Sequence, residues 1–350
     1  MTFPQNNSFI CGRGATAIYL VLQALKDQDN RRRVIVPANI CYAAVYPILY
    51  AGFSPVFCDV CPEDGNVSMD CLRAKMDSSI GGLLVPHMYG NPVREMAEIR
   101  SFCHHNRLFL IEDCASAMGA SLPDGTKVGT FGDYTIYSTG YAKTVDLGIG
   151  GVVTSNNGLS AFDNMEEELP EYSNGNHEAE QFFSRQYRQW RNSNRRLKGS
   201  EWETFFLHSD FRNLFLFKVN SELKKRIFDK IERELDIEIK RHRNNNDFYR
   251  QYLQGVPSIR LYPYNEGSVP WRFSIIVPAR NRRRIIESLL EEKIPVSDWY
   301  PSVVQLFGNS DSYPGVDRLG NSILNFPLTV SKAEIASICT CLIEVLRKVL

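Results

Sequence analysis

The first 155 residues alternate short apolar, β-branched runs with amphipathic segments, and this alternation limits the possible folds more than any other feature of the chain. The apolar runs are typical of buried strands, and the segments between them have the apolar spacing of helices. The strand-like runs are 34–37, 55–60, 81–86, 107–113, 134–138 and 150–155. The helix-like segments are roughly 15–27, 41–51, 68–79 and 94–106. Such an alternation predicts an α/β fold with a mostly parallel sheet that helices cover on both faces.

The chain changes character after residue 158. Residues 163–180 are acidic, and residues 185–198 are basic with interleaved aromatic side chains. We interpret 160–215 as an insertion. It is either a solvated surface segment or a basic flap that helps to hold a phosphorylated substrate.

The last third of the chain predicts a smaller α+β domain. Apolar residues recur at helical spacing from Leu223 to Leu253, which predicts one long helix that carries the chain from one domain to the other. We expect a large domain over 1–235 and a small domain over 236–350, with the small domain's own elements starting near Val256. Those elements are a strand over 271–278 and helices over 281–293 and 331–349.

The composition excludes several classes of protein. The chain has 350 residues, and its 40 Lys+Arg balance its 40 Asp+Glu, which argues against a nucleic-acid partner. No apolar run approaches the roughly 18 residues of a membrane span, so no membrane partner is expected. The N-terminal residues lack a basic region followed by an apolar core, so no secretory signal is indicated. We therefore expect a cytoplasmic protein whose nine cysteines are reduced.

One cysteine pair, Cys58 and Cys61, has C-x-x-C spacing. A zinc site would need a second pair at suitable spacing, and only Cys71 lies nearby. A redox motif would need the first cysteine at a helix N-terminus, whereas Cys58 falls in a predicted strand. Buried structural thiols are favoured over a metal site or a redox site.

A glycine motif near the N-terminus satisfies the dinucleotide pattern G-x-G-x-x-A at Gly12, Gly14 and Ala17. Its context differs, because no convincing strand precedes it and no acidic residue ends the next strand, so a dinucleotide oxidoreductase is disfavoured. A small-residue turn that opens into a helix still leaves backbone N–H groups free for an anion. The motif therefore predicts either a phosphate site at Ala15 and Thr16, to which the Thr16 hydroxyl could add a donor, or a simple helix cap.

Two further residues extend this site. Asp113 ends a strand, where ligands bind in parallel sheets, and its carboxylate suits a cationic ring nitrogen such as that of pyridoxal phosphate (PLP). Lys143 is the only cation within 131–153, so we expect a cation-poor pocket that disfavours the ammonium form and makes the amine a nucleophile for a carbonyl. Ser138 closes the preceding strand and could bind the same phosphate. The ordered set predicts a PLP site in which Lys143 is the Schiff-base lysine.

The chain resembles the DegT/DnrJ-type sugar aminotransferases, which are fold type I PLP enzymes. The matching segments run in order along the whole chain: "GATAIYLVLQAL", "VIVPANICYAAVYPILYAGFSPVFCDV", "VPHMYGNP", "LIEDCASAMGA", "KVGTFGDYTIYS", "AKTVDLGIGGVV", "PVSDWYPS" and "NFPLT". The resemblance implies a large domain with a mostly parallel seven-stranded sheet and a smaller α+β C-terminal domain. It also implies a homodimer with the active site at the subunit interface.

The resemblance implies roles for single residues. It implies that Lys143 forms the Schiff base with PLP, that Asp113 contacts the pyridine nitrogen, and that Cys41 or Tyr42 stacks on the ring. The phosphate would be bound by Ser138 and by the backbone of Ala15 and Thr16. His87 falls on a family histidine with a structural role. The implied reaction takes an amino group from an amino-acid donor, with glutamate expected, to a nucleotide-linked keto-sugar.

The chain departs from the family pattern at several positions. Ser116 replaces a glutamine that belongs to the cofactor-binding set, Met118 replaces a histidine and Ile149 replaces a glutamate. Phe217 and Val219 stand where an asparagine and an arginine would reach the partner subunit. Two alternatives therefore stay open: a sugar dehydratase, in which histidine usually replaces the lysine, and a catalytically inactive protein that serves as a binding or scaffold protein.

Overall fold

A seven-stranded sheet forms the centre of the molecule, in a computed structural model that describes residues 7–173, 178, 180–185, 187, 209–309 and 311–350. Its strands are β1 (Ser8–Cys11), β2 (Arg33–Pro37), β3 (Ser54–Cys58), β4 (Ile80–Pro86), β5 (Phe109–Asp113), β6 (Tyr134–Ser138) and β7 (Gly151–Ser155). They are ordered β1-β7-β6-β5-β4-β2-β3. Strands β2 to β6 are parallel, whereas β7 is antiparallel to both β6 and β1. The predicted α/β fold with a mostly parallel seven-stranded sheet is confirmed.

Helices connect these strands. They are α1 (Gly14–Leu25), α2 (Tyr42–Tyr50), α3 (Met69–Arg73), α4 (Met96–Asn106), α5 (Phe162–Glu167) and α6 (Ser209–Phe215), and residues 180–185 are also helical. Six predicted strands and three of the first four predicted helices are found within two residues of their expected bounds. Helix α3 is shorter than the predicted 68–79, because the Asp77 side chain accepts from the Ser79 N–H at 2.8 Å and favours a turn there. The predicted basic flap at 185–198 lies outside the described residues apart from Arg185 and Tyr187.

Strand β1 corrects the expectation that no strand precedes the glycine motif. Its residues Ser8–Cys11 pair with β7 in antiparallel register at the edge of the sheet. Because the strand has four residues and polar neighbours, its apolar content was too small to predict it. An antiparallel edge strand is also not the parallel strand that a dinucleotide fingerprint follows.

A second, antiparallel sheet carries the C-terminal part of the chain. It contains β8 (Arg260–Leu261), β9 (Phe273–Ile276) and β10 (Ile323–Phe326), in the order β10-β9-β8. The helices beside it are α8 (Ala279–Glu291) and α10 (Lys332–Val349), whereas α9 (Pro314–Gly320) packs against the core of the seven-stranded sheet through Val316. A capping box at Ser331 and Glu334 starts α10, whose apolar face packs onto the sheet.

One long helix, α7 (Ser221–Leu253), connects the two sheets. Ile227, Ile231 and Leu235 contact the core of the seven-stranded sheet, and Tyr249 and Leu253 contact the core of the three-stranded sheet. The expected boundary between residues 235 and 236 lies inside this helix, and the division into two domains stays a prediction. In the described part of the chain, no helix has the length and apolarity to cross a membrane.

Candidate active site

The predicted site residues converge where the carboxyl ends of β5 and β6 face the N-terminus of α1. Strand β5 ends at Asp113, β6 ends at Ser138, and α1 begins at Gly14. A Cβ built on Gly14 would lie 3.3 Å from the Cβ of Ser138, so glycine lets the helix start against the strand end. This approach brings the first turn of α1 to the edge of the sheet where ligands bind in α/β proteins.

The first turn of α1 can hold an anion. Ala17 is the first residue of the helix to donate to the i−4 carbonyl, that of Arg13, at 2.9 Å. The N–H groups of Ala15 and Thr16 precede it and have no acceptor within the helix. The Thr16 hydroxyl is buried and donates to the Phe215 carbonyl at 3.0 Å, so it is the backbone N–H of Thr16 that faces a possible anion.

Ser138 lies beside this turn. Its Oγ accepts from the Gly140 N–H at 3.1 Å and donates to the Gly150 carbonyl at 3.3 Å. The hydroxyl therefore connects the strand end to the loop that carries Lys143, within reach of the same anion.

Asp113 is buried at the end of β5. Its Oδ1 accepts from the Ala115 N–H at 2.9 Å. Burial raises the pKa of Asp113, while the Ala115 N–H and the nearby positive charge of Lys143 act against this rise. A second cation next to the carboxylate, such as a protonated ring nitrogen, would stabilise its charged form further.

The loop that carries Lys143 is built around Asp146. Its carboxylate accepts from the Ala142 N–H at 2.7 Å and from the Gly148 N–H at 2.8 Å. The half-buried Lys143 then extends its Nζ inward and donates to Ser116 Oγ at 3.2 Å. Ser116 therefore meets the amine directly.

Two residues of this site were not predicted from the sequence, Trp271 and Tyr300. The Trp271 indole N–H donates to the carbonyl of Ala142, next to Lys143, and its ring lies 5.2 Å from that of Tyr300. Tyr300 is buried and hydrogen-bonded to Ser116. The one available signal was the position of Tyr300 within the matching segment "PVSDWYPS".

Cys41 lies beside the lysine and the aspartate. Burial raises the pKa of its thiol, and the charges of both Lys143 and Asp113 act on it. Tyr42 instead packs against Tyr187, with ring centroids 4.8 Å apart. Of the two residues proposed to stack on a ring, Cys41 is therefore the better placed.

The expectation of a cation-poor pocket is correct for the neighbouring residues in the sequence, but the fold brings a second cation, Arg13, close to the site. Arg13 caps α1, and its positive charge acts on Cys41 together with that of Lys143. The Arg13 guanidinium is 2.9 Å from the Glu180 carboxylate and 5.7 Å from the centre of the Phe217 ring. This distant segment of the chain therefore adds a paired cation next to the site.

His87 and Glu112 form a buried structural pair. The His87 Nδ1 accepts from the Val93 N–H, so its Nε2 carries the proton and donates to Glu112 at 2.9 Å. Glu112 also accepts from the backbone N–H groups of Gly129, Phe131 and Gly132. Burial alone would raise the pKa of Glu112, but the hydrogen bonds from His87 and the backbone outweigh it and lower the pKa. Cys114 also lies near this pair. The Nδ1 lone pair of His87 already accepts the Val93 N–H and its Nε2 carries a proton, so His87 is not available as a metal ligand there.

Of the residues that depart from the family pattern, all but Ser116 are buried. Met118, Ile149, Phe217 and Val219 belong to one apolar cluster against α7. Phe217 packs so closely on Gly12 that a Cβ there would lie 2.3 Å from its carbonyl oxygen. Phe217 and Val219 therefore pack inside their own chain.

The C-x-x-C pair begins at the end of β3, the strand at the edge of the seven-stranded sheet. Cys58 ends β3 and is buried, which raises the pKa of its thiol. The Cys61 thiol donates to Glu63 at 3.0 Å, and burial together with this bond raises its pKa to about 11. Neither thiol is activated for redox chemistry.

The fold and the site define the class of the protein. The fold, with its mostly parallel seven-stranded sheet, is that of the fold type I, PLP-dependent aminotransferases. The sequence model of the DegT/DnrJ/EryC1/StrS aminotransferase family matches residues 5–197, more than half of the chain. The chain belongs to this family.

The chain is similar to several curated and solved proteins. It is 35% identical over 146 residues to GDP-perosamine synthase of Vibrio cholerae, and this match covers 42% of this chain and 39% of the relative. It is 35% identical over 139 residues to dTDP-4-dehydro-2,3,6-trideoxy-D-glucose 4-aminotransferase of Saccharopolyspora spinosa, over 40% of this chain and 35% of the relative. The match thus spans less than half the length of these relatives.

Solved structures extend the likeness over the whole fold. The aminotransferase TlmJ of Streptoalloteichus hindustanus superposes with a TM-score of 0.76 at 19% identity, over 99% of this chain and 87% of that one. NtdA of Bacillus subtilis, solved with the cofactor PMP, superposes with a TM-score of 0.72 at 19% identity, over 97% of this chain and 73% of that one.

Proposed function

We propose that this protein is a PLP-dependent aminotransferase that moves an amino group from an amino-acid donor to a nucleotide-linked keto-sugar. The observation that carries the proposal is the amine of Lys143, which lies 3.2 Å from Ser116 and acts electrostatically on both Asp113 and Cys41. The names of the relatives, which include a GDP-sugar synthase and a dTDP-sugar aminotransferase, support the substrate class.

The residues present fit PLP. The first turn of α1, with Ala15 and Thr16, would bind the phosphate through backbone N–H groups, and Ser138 would add its hydroxyl. Asp113 would face the ring nitrogen. Burial raises the pKa of this carboxyl group, and a positively charged ring nitrogen beside it would stabilise the carboxylate form. Cys41 would cover the ring, and Ser116 would stay next to the amine.

When bound, PLP supplies an electrophilic carbon and a ring that accepts carbanion charge. Lys143 Nζ would hold the cofactor, and as a free amine it would carry a proton to and from the α-carbon of the donor. Ser116 Oγ and the Tyr300 hydroxyl next to it keep this amine inside the pocket. The Asp113 carboxylate would keep the ring nitrogen protonated.

We expect glutamate as the donor, a cytoplasmic location and a homodimer. The donor and the homodimer are what the resemblance to the family implies, and the location is the expectation drawn from the sequence. Light scattering coupled to gel filtration measures the oligomeric state, and a monomer would contradict the expected homodimer.

The experiment compares the purified protein with Lys143→Ala and with the control Lys127→Ala, which removes an exposed lysine of the same region. Borohydride should fix PLP covalently on the peptide that contains Lys143 in the parent and in the control. The Lys143→Ala protein should lose the visible absorbance band and the transfer of nitrogen from glutamate to keto-sugar nucleotides. Transfer that persists in Lys143→Ala would refute the mechanism.

The same assay separates the two alternatives. A dehydratase would release water from the keto-sugar and add no nitrogen to it. One structural neighbour is a dehydratase by name, the GDP-4-keto-6-deoxy-D-mannose-3-dehydratase of E coli. It superposes with a TM-score of 0.69 at 18% identity, over 96% of this chain and 87% of that one. An inactive binding protein would show no lysine-linked cofactor. Amination of the sugar with PLP on Lys143 would exclude both.

A further inference from the structure

Arg13 is a second cation at the candidate active site. It is the N-cap residue of α1, and its backbone forms a β-bridge with Gly150, where the loop that carries Lys143 ends. The positive charges of Arg13 and Lys143 both act on the Cys41 thiol. The guanidinium therefore lies near the amine, and the transfer steps assigned to Lys143 do not use it.

A carboxylate already lies on this guanidinium. The Arg13 Nη2 donates to Glu180 Oε1 at 2.9 Å, and its Nη1 donates to the Leu214 carbonyl at 3.3 Å. The Phe217 ring supports the guanidinium, with its centre 5.7 Å away. A guanidinium offers five N–H donors in a planar fork that matches the geometry of a carboxylate. The Glu180 side chain thus marks a place where a carboxylate can bind.

The ion pair of Arg13 and Glu180 can exchange its carboxylate. The two side chains are 20% and 43% exposed, so water reaches both. Partly exposed ion pairs contribute little to stability, because water solvates the separated charges well. Glu180 also lies in the helical residues 180–185, outside both sheets, so it can leave the guanidinium without moving a strand. A carboxylate that gains further contacts at the site can therefore replace it.

The expected ligand of Arg13 is a substrate carboxylate rather than the cofactor phosphate. The first turn of α1 and the Ser138 hydroxyl already offer donors to the phosphate. The Arg13 side chain extends instead to the end of α6, where Leu214 lies. An amino-acid donor must bring its nitrogen to the position of the Lys143 amine, and its carboxylates are joined to that nitrogen by a few bonds. A guanidinium near the amine is suited to hold one of them.

We propose that Arg13 binds a carboxylate of the amino-acid donor, and that Glu180 occupies the guanidinium until the donor arrives. This inference rests on the proposed function, because it assumes an amino-acid donor, and it assigns the residue that selects amino acids over simple amines. Glu180 and the donor compete for one cation. Loss of Arg13 and loss of the Glu180 charge therefore have opposite effects on donor affinity.

The test uses the full PLP-loaded chain and two measurements. Calorimetry with glutarate, a dicarboxylate without an amino group, measures binding in the absence of reaction, and steady-state kinetics give the KM of glutamate. Arg13→Gln should weaken glutarate binding and raise this KM about tenfold, as for a hydrogen bond between charged groups. Glu180→Gln should strengthen glutarate binding and lower this KM about threefold, as for a partly exposed ion pair. The affinity for PLP should be the same in both variants and in the parent.

Alanine identifies which carboxylate is bound, because it has the α-carboxylate and lacks the side-chain carboxylate of glutamate. The change of the visible absorbance band on mixing with either amino acid measures the first half of the transfer. Arg13→Gln should slow this change for both donors if Arg13 binds the α-carboxylate, and for glutamate alone if Arg13 binds the side-chain carboxylate. Slowing for alanine alone, or for neither donor, contradicts the inference.

Matched controls come from an ion pair between α3 and α4. The Arg73 Nη2 lies 2.8 Å from Glu98 Oε1, and the two side chains are 53% and 52% exposed. Arg73→Gln and Glu98→Gln remove the same charges as the site variants from another part of the surface. Both should bind glutarate as the parent does.

The inference is overturned if Arg13→Gln binds glutarate as tightly as the controls. It is also overturned if Glu180→Gln weakens binding as Arg13→Gln does, which would make the ion pair merely structural, or if Arg13→Gln weakens PLP and leaves glutarate unchanged, which would assign Arg13 to the phosphate. Transfer activity with unchanged glutarate binding in Arg13→Gln would remove this inference alone. Glutarate binding that depends on Arg13 in a protein without transfer activity would support the carboxylate site and refute the aminotransferase.

Discussion

Acid should destabilise this protein through one buried histidine, His242 on α7. Its Nδ1–H donates to the Pro270 carbonyl at 2.8 Å, and its Nε2 has no partner within the described structure. Burial, with the nearby charges of Arg241 and Arg272, lowers the pKa of His242 to about 4. Protonation would place a charged N–H at Nε2, where no group accepts it. The Pro270 carbonyl bound by His242 directly precedes Trp271, whose indole N–H donates to the loop that carries Lys143.

The size of the effect follows from the two pKa values of His242, 6.5 when it is exposed and about 4 in the folded protein. Between these values the unfolded chain binds a proton that the folded chain does not bind, so the free energy of unfolding falls as the pH falls. The stabilisation is complete above pH 6.5. The loss is about 2 kcal/mol at pH 5 and approaches about 3 kcal/mol below pH 4.

Urea unfolding at pH 7 and pH 5 measures this loss in the parent, in His242→Asn and in His105→Asn. Asparagine keeps a donor for the Pro270 carbonyl and removes the titration, while His105 is an exposed histidine that serves as the control. The parent and the control should lose about 2 kcal/mol more than His242→Asn between the two pH values. Equal losses in all three proteins would refute the assignment.

Three further changes test the site and its support. Gly12→Ala should lower the free energy of unfolding by about 1–3 kcal/mol, because the new methyl group meets the Phe217 carbonyl, and thermal unfolding measures this loss. Asp113→Asn should keep or raise the thermal stability of the cofactor-free protein at pH 7, because it removes a buried charge and keeps an acceptor for the Ala115 N–H. The same variant should bind PLP at least about tenfold more weakly in a spectroscopic titration. Glu112→Gln should cost about 3 kcal/mol in urea unfolding at pH 7, because it leaves buried donors unsatisfied, and the cost should shrink as acid protonates the parent.

Each of these changes has a contrary outcome. A Gly12→Ala protein as stable as the parent would show that the segment at Phe217 moves freely. An Asp113→Asn protein that binds PLP as tightly as the parent would remove Asp113 from the cofactor site. A Glu112→Gln protein of parental stability at pH 7 would show that the backbone donors find other acceptors.

The parts of the fold that could be predicted have strong local patterns. β4 is buried along its whole length, and its sequence is a continuous apolar run; α7 repeats its apolar residues at helical spacing from Leu223 to Ile239. β1 has four residues at the sheet edge and α3 has five, and neither leaves a pattern long enough to detect.

The site residues that could be predicted from the sequence are those at or just after the ends of neighbouring strands. Asp113 and Lys143 lie at or after strand ends, which the order of strands brings to one edge. Arg13 and Trp271 could not be placed, because their contacts depend on how residues more than 100 positions apart pack together. No local pattern records such a contact.

Helix α7 has 33 residues and no glycine or proline, so it is a straight connection about 50 Å long with one end in each core. The helix shares this task with direct contacts, since the N–H groups of Val269 and Trp271 donate to the carbonyls of Gly90 and Tyr89. An inserted glycine near the middle of this helix would therefore weaken the one element that both cores share.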